Sequence, residues 1–274
     1  MLPTLRETVE FYGLMANRSL GQNFLLDGNI TDKIIRRSLE KQGISDFADF
    51  NLVEIGPGPG GLTRSALGNN PHSLTVIELD SRCIRIMEDL RNETDCPMNI
   101  LNADALKCNL PDLLPAPRQI ISNLPYNISV PLLLKWLLQI REYSAMTLMF
   151  QKEVAERIMA PIGCKDYGRI SIIAQLTCHI DKLLDLKPEC FTPPPKICSS
   201  VLLFRPLEKA IDRVEIGKIE KITALAFGQR RKMLRQSLKS LPDINAKLEK
   251  LEIAATLRPE EITPQQFLEL SRLF

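Results

Sequence analysis

Short apolar runs recur along the first half of the chain, and amphipathic stretches lie between them. The runs predict strands at Asn51–Ile55, Leu74–Leu79, Met98–Asn102, Gln119–Ser122 and Ala145–Phe150. Apolar residues at helical spacing predict helices at Asp27–Glu40, Leu62–Leu67, Arg82–Leu90 and Pro131–Gln139. Strands that alternate with helices are typical of a parallel, doubly wound sheet, so the pattern predicts an α/β fold.

The alternation is less regular in the second half of the chain. Glu153–Met159 predicts a helix and Val201–Phe204 predicts a strand, whereas Tyr167–Cys178 fits either a helix or an extended segment. The segment Phe191–Lys196 contains three consecutive prolines. Because proline fixes φ and lacks an N–H donor, this segment predicts a rigid loop.

Beyond Pro206 the β-like runs disappear, and the remaining pattern is helical. We therefore predict two domains, one over residues 1–205 and a small all-α domain over residues 206–274. The 274 residues suffice for such a pair, and 45% hydrophobic with 25% charged residues is ordinary for a soluble globular protein. The apolar stretches are too short to span a bilayer, so we predict a cytoplasmic protein.

Charge and cysteine content narrow the possible functions. The formal net charge is only +2, so a surface that binds nucleic acid must be local. The seven cysteines form no C-x-x-C pair and only two histidines accompany them, so no zinc spacing is present and no metal is predicted. Scattered thiols of this kind fit a reducing cytosol.

A glycine-rich turn follows the first predicted strand of the sheet. Gly56, Gly58 and Gly61 satisfy G-x-G-x-x-G between a strand and a helix, a spacing typical of nucleotide-binding turns. Glu78 ends the next strand, where a carboxylate can accept hydrogen bonds from ribose hydroxyls. The pattern leaves open a nicotinamide-dependent dehydrogenase, and also a turn that only connects a strand to a helix.

Two prolines in this turn weaken the dehydrogenase interpretation. Pro57 and Pro59 have no N–H group, so the turn lacks two of the donors that would bind a pyrophosphate. An adenosine ligand without phosphates, such as S-adenosylmethionine, does not need them. Asp104, after the third strand, could accept the exocyclic amine of an adenine, but it fits a helix cap or a turn equally well.

A second motif follows the fourth strand. The side-chain amide of Asn123 and a backbone carbonyl of the Asn123–Tyr126 turn can both accept hydrogen bonds from one –NH₂ group. Two such acceptors favour a more tetrahedral nitrogen, whose lone pair can attack an electrophilic methyl group. Tyr126 could stack on the base, and Phe191 could stack on its opposite face. A turn with a buried tyrosine and an ordinary packed phenylalanine are the structural alternatives.

A basic segment lies in the predicted small domain. Phe227–Lys239 carries five positive charges and no acidic residue. As a helix it would place Arg231, Arg235 and Lys239 in one stripe at four-residue spacing. Such a run is most often a solvated face, but in a nearly neutral chain it also suggests phosphate contacts. The candidate RNA-binding residues are Arg230, Arg231, Lys232 and Arg235.

With these motifs in order, the chain resembles the small-subunit (16S) ribosomal RNA adenine N6-dimethyltransferases. The resemblance is strong over about residues 17–205, and the basic segment extends it. The motifs that carry it are Gly21–Leu25, Glu54–Gly58, Glu78–Asp80, Asn123–Ser129, Gln151–Val154, Tyr167–Arg169 and Phe191–Lys196. Relatives often carry several basic residues before Gly21, whereas this chain has only Arg18 nearby, so we expect a smaller contribution of this arm to RNA affinity.

The resemblance implies a fold, a cofactor and a reaction. The fold is a Rossmann-like S-adenosylmethionine-dependent methyltransferase domain with a small C-terminal all-α domain. The reaction transfers methyl groups to N6 of two adjacent adenosines, twice each, near the 3′ end of small-subunit rRNA. The implied cofactor contacts are Asn23, Leu25, Gly56, Glu78, Asp104 and Asn123. The implied acceptor residues are Asn123, Leu124, Pro125 and Tyr126, with Phe191 stacking.

The implied partner is small-subunit rRNA in the immature 30S subunit, and we expect a monomer. Two alternatives to this function remain open. One is methylation of an adenosine in the large-subunit rRNA. The Phe191–Lys196 loop and the basic segment favour the small subunit instead. The other is an RNA-binding assembly factor that kept the fold but lost the chemistry. The presence of Glu78, Asp104, Asn123 and Tyr126 favours an enzyme.

Overall fold

The computed structural model describes residues 3–14 and 22–274 of the chain, so Arg18 and Gly21 lie outside the described residues. By internal contacts the chain divides into two compact units. Unit 1 comprises the described part of Met1–Leu133 with Arg141–Lys152 and Asp181–Arg205, and unit 2 comprises Leu134–Ile140, Glu153–Ile180 and Pro206–Phe274. The units alternate along the chain, so the single domain boundary predicted at residue 206 stays a prediction.

A seven-stranded sheet has the strand order β4-β3-β2-β5-β6-β9-β7. A separate short sheet pairs β1 with β8 in antiparallel orientation. The strands are β1 (Phe24–Leu25), β2 (Asn51–Ile55), β3 (Ser73–Glu78), β4 (Met98–Asn102), β5 (Arg118–Ser122), β6 (Ala145–Gln151), β7 (Cys178–Leu186), β8 (Phe191–Thr192) and β9 (Ser199–Pro206). Strands β2 to β6 pair in parallel, and β9 is antiparallel to β6. The predicted α/β fold with a parallel sheet is confirmed.

Helices connect these strands and continue to the end of the chain. They are α1 (Leu5–Phe11), α2 (Gly28–Gln42), α3 (Gly61–Leu67), α4 (Ser81–Asn92), α5 (Leu110–Leu113), α6 (Tyr126–Leu137), α7 (Lys152–Met159), α8 (Arg169–Thr177), α9 (Arg213–Gly228), α10 (Leu234–Ser237), α11 (Ile244–Lys250) and α12 (Pro264–Arg272). The segment that fitted either a helix or a strand therefore forms a helix, α8. Within the described parts of the chain, none of the helices is both long and apolar enough to cross a membrane.

Local sequence signals explain several helix ends. Asp27 accepts a hydrogen bond from the backbone N–H of Asn29 and caps α2, and Gly43 ends this helix at φ +72°. Asp80 caps α4 in the same way, by accepting from the N–H of Arg82. These caps fix where the helices begin after β1 and β3, the strands that precede and follow the glycine turn in the sequence.

The core of unit 1 is built from strands and helices together. Leu52 and Leu74 on neighbouring strands form one buried cluster with Ile35 of α2 and Met87 of α4. Strand β7, at one edge of the sheet, was not predicted. Its seven inner residues are exposed or only partly buried, so its sequence shows no apolar run.

The core of unit 2 centres on aromatic side chains. Tyr167 is fully buried and donates a hydrogen bond from its hydroxyl to the Ile262 carbonyl at 2.9 Å. The ring of Phe227 lies 6.2 Å from that of Tyr167 and 6.0 Å from that of Phe267. These contacts join helices α9 and α12 to the segment before α8.

The continuous basic helix predicted over Phe227–Lys239 is wrong. Helix α9 ends at Gly228, a non-helical stretch follows, and α10 begins at Leu234. The guanidinium group of Arg230 donates to the Cys164 carbonyl at 3.1 Å and pairs with Glu260 at 3.6 Å. These contacts with distant parts of the sequence hold the segment in a turn, so the predicted stripe of Arg231, Arg235 and Lys239 does not form.

A substitution of Gly61, the first residue of α3, would test how closely α3 packs against β1. A Cβ atom at this position would lie 2.5 Å from the Leu25 carbonyl oxygen. Because a backbone atom can yield only if β1 moves, we expect Gly61→Ala to lower the free energy of unfolding by about 1 to 3 kcal/mol. Urea unfolding measures the change.

The matched control is Gly28→Ala at the start of α2, where an added Cβ would meet nothing within 4 Å. We expect its free energy of unfolding to stay within about 0.5 kcal/mol of that of the unmodified chain. Equal stabilities of the two variants would contradict the close contact between Gly61 and β1.

Candidate active site

One cavity lies in unit 1 at the carboxyl ends of the parallel strands, where ligands bind in open α/β sheets. Its volume is about 270 Å³. The lining consists of Gln22–Leu25, Glu54, Gly56–Pro59, Gly61, Leu62, Glu78, Leu79, Asp104, Leu106 and Asn123–Ile128. It therefore brings together every residue for which the sequence predicted a cofactor contact. Whether each of them touches a cofactor stays a prediction.

The glycine turn forms one wall of the cavity. Gly56, Gly58 and Gly60 have φ values of +65°, +56° and +89°, in the left-handed region that favours glycine. Their N–H groups donate to the Ile77 carbonyl, to a Glu78 carboxylate oxygen and to the Pro57 carbonyl. These donors are used within the protein, and the two prolines of the turn have none. The turn is therefore poorly suited to binding a pyrophosphate.

Glu78 ends β3 and is 7% exposed. Its Oε1 accepts the backbone N–H groups of Leu79 at 2.7 Å and Asp80 at 2.9 Å, and its Oε2 accepts that of Gly58 at 3.4 Å. Burial raises the pKa of Glu78, and the three backbone hydrogen bonds oppose this effect. Because Oε2 makes only the one long bond among the described residues, it is the oxygen with room to accept a ligand hydroxyl.

Asp80 anchors Gln22, which belongs to the segment before β1. The Gln22 side-chain amide donates to Asp80 Oδ2 at 3.1 Å. Hydrogen bonds from Arg82 lower the pKa of Asp80 to about 2, so this carboxylate is charged at neutral pH. The Gln22 amide therefore donates to a carboxylate that stays negatively charged at neutral pH, which holds Gln22 in place.

Asp104 lines the cavity after β4. Its Oδ1 accepts the backbone N–H of Leu106 at 3.0 Å, so the turn interpretation is correct. That turn uses one carboxylate oxygen and leaves the other able to accept from a ligand. The side chains of Leu79 and Leu106 are 58% and 38% exposed, and both line the cavity. Apolar groups next to a carboxylate suit a flat heteroaromatic ring with an exocyclic amine.

Asn123 and Tyr126 lie at the end of β5 and the start of α6. The Asn123 Nδ2 group donates to the Asn23 carbonyl at 3.1 Å, which leaves Asn123 Oδ1 as an acceptor in the cavity. Pro125 packs on the glycine turn, since a Cβ on Gly56 would lie 3.5 Å from it. The hydroxyl of Tyr126 shares a 2.8 Å hydrogen bond with Ser199 Oγ.

Phe191 is not among the residues that line the cavity. It pairs with Leu25 between β8 and β1, and its side chain is 3% exposed within the core of unit 1. The pairing of two segments that are distant in sequence buries the ring. For the predicted stacking on a base, the segment that carries Phe191 would have to move out of the core.

Glu54 is a site residue to which the sequence analysis gave no separate role. It lies on β2, lines the cavity and is 3% exposed. Thr63 donates to its Oε2 at 2.7 Å, but burial raises the pKa of Glu54 to about 8, with a smaller contribution from the nearby Glu78. An acidic residue inside an apolar strand, two positions before Gly56, was the signal that could have revealed it.

The predicted RNA-binding residues lie in unit 2 and differ in exposure. Arg231, Lys232 and Arg235 are exposed. Arg230 is only partly exposed and is held by Cys164 and Glu260. Three of the four residues are therefore accessible to a polyanion without breaking a contact within the protein.

A sequence model described as ribosomal RNA adenine dimethylase matches residues 13–274. The chain belongs to this family. A protein from Rhodospirillum rubrum named Ribosomal RNA small subunit methyltransferase A is 43% identical over 99% of this chain and 92% of its own length. A protein of the same name from Wolbachia pipientis is 44% identical over 93% of this chain and 94% of its own length.

Solved structures agree with this assignment. A dimethyladenosine transferase from Plasmodium falciparum matches 89% of this chain and 94% of its own with a TM-score of 0.75 and 25% identity. The 23S rRNA methyltransferase ErmE matches 91% of this chain and 98% of its own with a TM-score of 0.67, and at 22% identity it shows the fold alone. The predicted family, the methyltransferase activity and the Rossmann-like fold are thus confirmed.

The buried carboxyl of Glu54 predicts a pH dependence of stability. Its pKa is about 8 in the folded chain against a usual value of 4.5, so between these pH values the folded state binds more protons than the unfolded state. The stability that Glu54 contributes therefore falls as pH rises. We expect Glu54→Gln to gain stability relative to the unmodified chain from pH 5 to pH 8, by at most about 1.4 kcal/mol per pH unit.

Urea unfolding at each pH measures this difference. Glu88→Gln, at an exposed position on α4, is the matched control and should show no comparable trend. A stability difference between Glu54→Gln and the unmodified chain that stays constant from pH 5 to pH 8 would show that the buried carboxyl does not hold a proton.

Proposed function

We propose that the chain transfers methyl groups from S-adenosylmethionine to N6 of two adjacent adenosines near the 3′ end of small-subunit (16S) rRNA, twice each. The observation that carries the proposal is that Glu78 and Asp104 line one cavity with Asn123 and Tyr126. One pair suits an adenosine cofactor and the other suits a planar amine. A cavity that holds both sets can bring a methyl donor and an acceptor adenine together.

The residues present fit S-adenosylmethionine. Glu78 would accept hydrogen bonds from the ribose hydroxyls and Asp104 from the adenine amine, while Asn23, Leu25 and Gly56 complete the contacts. The glycine turn offers little to a pyrophosphate, and this cofactor has none. When bound, S-adenosylmethionine supplies a methyl group on a cationic sulfur, which makes that methyl electrophilic.

The acceptor side prepares the adenine amine. Asn123 Oδ1 and the Leu124 carbonyl would accept the two N–H bonds of N6, which favours a tetrahedral nitrogen with its lone pair out of the ring plane. Tyr126 would stack on the base and Pro125 would fix the turn. A strong base is unnecessary, because the nitrogen becomes acidic only as the methyl group adds and its proton then passes to water.

The choice of substrate rests on the relatives. Full-length relatives at 43% and 44% identity carry the name Ribosomal RNA small subunit methyltransferase A. The likeness to the 23S rRNA methyltransferase ErmE concerns the fold alone. We therefore favour the small subunit over the large one, with the immature 30S subunit as the partner. The expected cytoplasmic location and monomeric state are kept as separate proposals, which the names of the relatives do not address.

We further propose that residues 206–274 form an RNA-binding domain. The exposed cations Arg231, Lys232 and Arg235 lie in a stretch without acidic residues, and they would contact phosphates. Arg230 would contribute mainly by holding the turn against Cys164 and Glu260. The segment forms a turn and not the predicted helix, so these cations are arranged differently from the prediction, but they are still exposed.

Labelled S-adenosylmethionine and under-methylated small subunits test the reaction. We expect label in N6,N6-dimethyladenosine at two adjacent positions, and we expect Asn123→Ala to lower the rate at least about 100-fold because it removes an acceptor of the N6 hydrogen bonds. The matched control is Asn99→Ala, at an exposed position on β4, which should keep full activity. Label in large-subunit RNA alone would favour the alternative substrate, and no label in either RNA would sink the proposal.

The salt dependence of RNA binding tests the basic segment. Removal of one phosphate contact lowers the slope of log affinity against log salt by about 1. We therefore expect Arg231→Ala and Lys232→Ala each to weaken subunit binding and flatten the slope. Lys250→Ala, at an exposed position on α11, is the control. Slopes that do not differ among the three variants would exclude phosphate contacts at this segment.

A further inference from the structure

We infer that Ser199 is a positioning residue for the acceptor adenine, and that it acts through Tyr126 chiefly in the second methylation. The inference rests on the proposed function, in which Tyr126 stacks on the target base. Its structural basis is the 2.8 Å hydrogen bond between Tyr126 Oη and Ser199 Oγ.

The backbone of Tyr126 is held independently of its side chain. Tyr126 is the first residue of α6, and its carbonyl accepts a hydrogen bond from Ser129 Oγ at 3.0 Å. These contacts do not fix rotation about the side-chain bonds. The phenol oxygen lies on the long axis of the ring, so a hydrogen bond there determines where the far end of the ring lies in the cavity.

Ser199 is a rigid anchor for that bond. It is fully buried as the first residue of β9, where it pairs with Gln151 of β6. The bond to Tyr126 is the one found for its hydroxyl among the described residues. Burial raises the pKa of Tyr126, so the phenol keeps its proton at neutral pH and the pair of hydroxyls persists. A buried hydroxyl that loses its partner is costly, which ties the ring to the strand.

The chemistry of N6 makes the second transfer more dependent on the ring. An unmethylated amine has two N–H bonds, one for Asn123 Oδ1 and one for the Leu124 carbonyl. After the first methylation only one N–H remains, so one of the two acceptors loses its partner. Stacking on Tyr126 then carries a larger share of the positioning, and a poorly held ring should slow the second transfer more than the first.

The test is the ratio of products on under-methylated small subunits. After limited reaction and complete digestion, mass spectrometry of the nucleosides gives the amounts of N6-methyladenosine and N6,N6-dimethyladenosine. We expect Ser199→Ala to raise the monomethyl share about fivefold, since small displacements of a reacting group have large effects on rate. We expect its affinity for S-adenosylmethionine to stay within about twofold, and Ser199→Thr, which keeps the hydroxyl, to restore the ratio.

Ser200→Ala is the matched control. Ser200 is the adjacent residue on β9, so its side chain points to the opposite face, where it donates to Asp185 Oδ1 at 2.6 Å. This variant also removes a hydrogen bond of a buried serine, but Ser200 is not a partner of Tyr126. We expect its product ratio to equal that of the unmodified chain even where its stability falls.

Tyr126→Phe removes the same hydrogen bond from the other side and leaves β9 unchanged. It should raise the monomethyl share as Ser199→Ala does, and the double variant should be no worse than Tyr126→Phe alone. If Ser199→Ala does not fold, Tyr126→Phe still decides the matter. A monomethyl share of Ser199→Ala or Tyr126→Phe equal to that of an active unmodified chain would overturn the inference, whereas an unmodified chain that makes no methyladenosine would overturn the proposed function.

Discussion

Parallel pairing of β2 with β3 and β5 is the constraint on which the cavity depends. In that arrangement Ile55 lies beside Ile77, so β2 and β3 end at the same edge of the sheet. Each strand then delivers its next residues to one place: the glycine turn after β2, Glu78 at the end of β3 and Asn123 after β5. Residues separated by long stretches of sequence thus share a site because their strands end together, and the hydrogen bond from Gly58 to Glu78 then joins two of these segments directly.

The electrostatics of the cavity complement its shape. Glu54 and Glu78 are both buried, and the negative charge of Glu78 adds to the effect of burial in disfavouring ionisation of Glu54. A ligand that brings positive charge relieves this unfavourable arrangement, whereas a pyrophosphate would aggravate it. The occupied N–H groups of the glycine turn lead to the same preference. The negative charge of the cavity and the occupied N–H groups are thus two independent reasons why this turn is less suited to a dinucleotide than a typical dinucleotide-binding turn.

Strands that carry continuous apolar runs could be predicted closely from the sequence. Asn51–Ile55 and Met98–Asn102 have the predicted bounds, because the run, the strand and its flanking turns coincide. The cavity residues at strand ends followed from the same pattern together with the glycine and Asn-Leu-Pro-Tyr motifs. These features depend on local sequence and on one general property of parallel sheets.

Features set by distant contacts could not be predicted in this way. The turn at Arg230 depends on Cys164 and Glu260, and burial of Phe191 depends on pairing with Leu25. Neither partner is visible in the local pattern. The spacing of the cations therefore predicted a helix where the segment forms a turn. For Phe191 the sequence left stacking on a base and ordinary packing both open, and the ring lies in the core.

The hydrogen bond from Asn123 to the Asn23 carbonyl joins the two halves of the cavity. Asn23 lies on the segment before β1, which is also fixed through Gln22 to Asp80. A bound donor that orders Asn23 would therefore also order the side-chain amide of Asn123, which in the proposed reaction contacts the acceptor adenine. Thermodynamic linkage makes this coupling reciprocal, so RNA that orders Asn123 strengthens donor binding by the same factor. In the proposed reaction, this single amide contact would make binding of the donor and binding of the RNA cooperative.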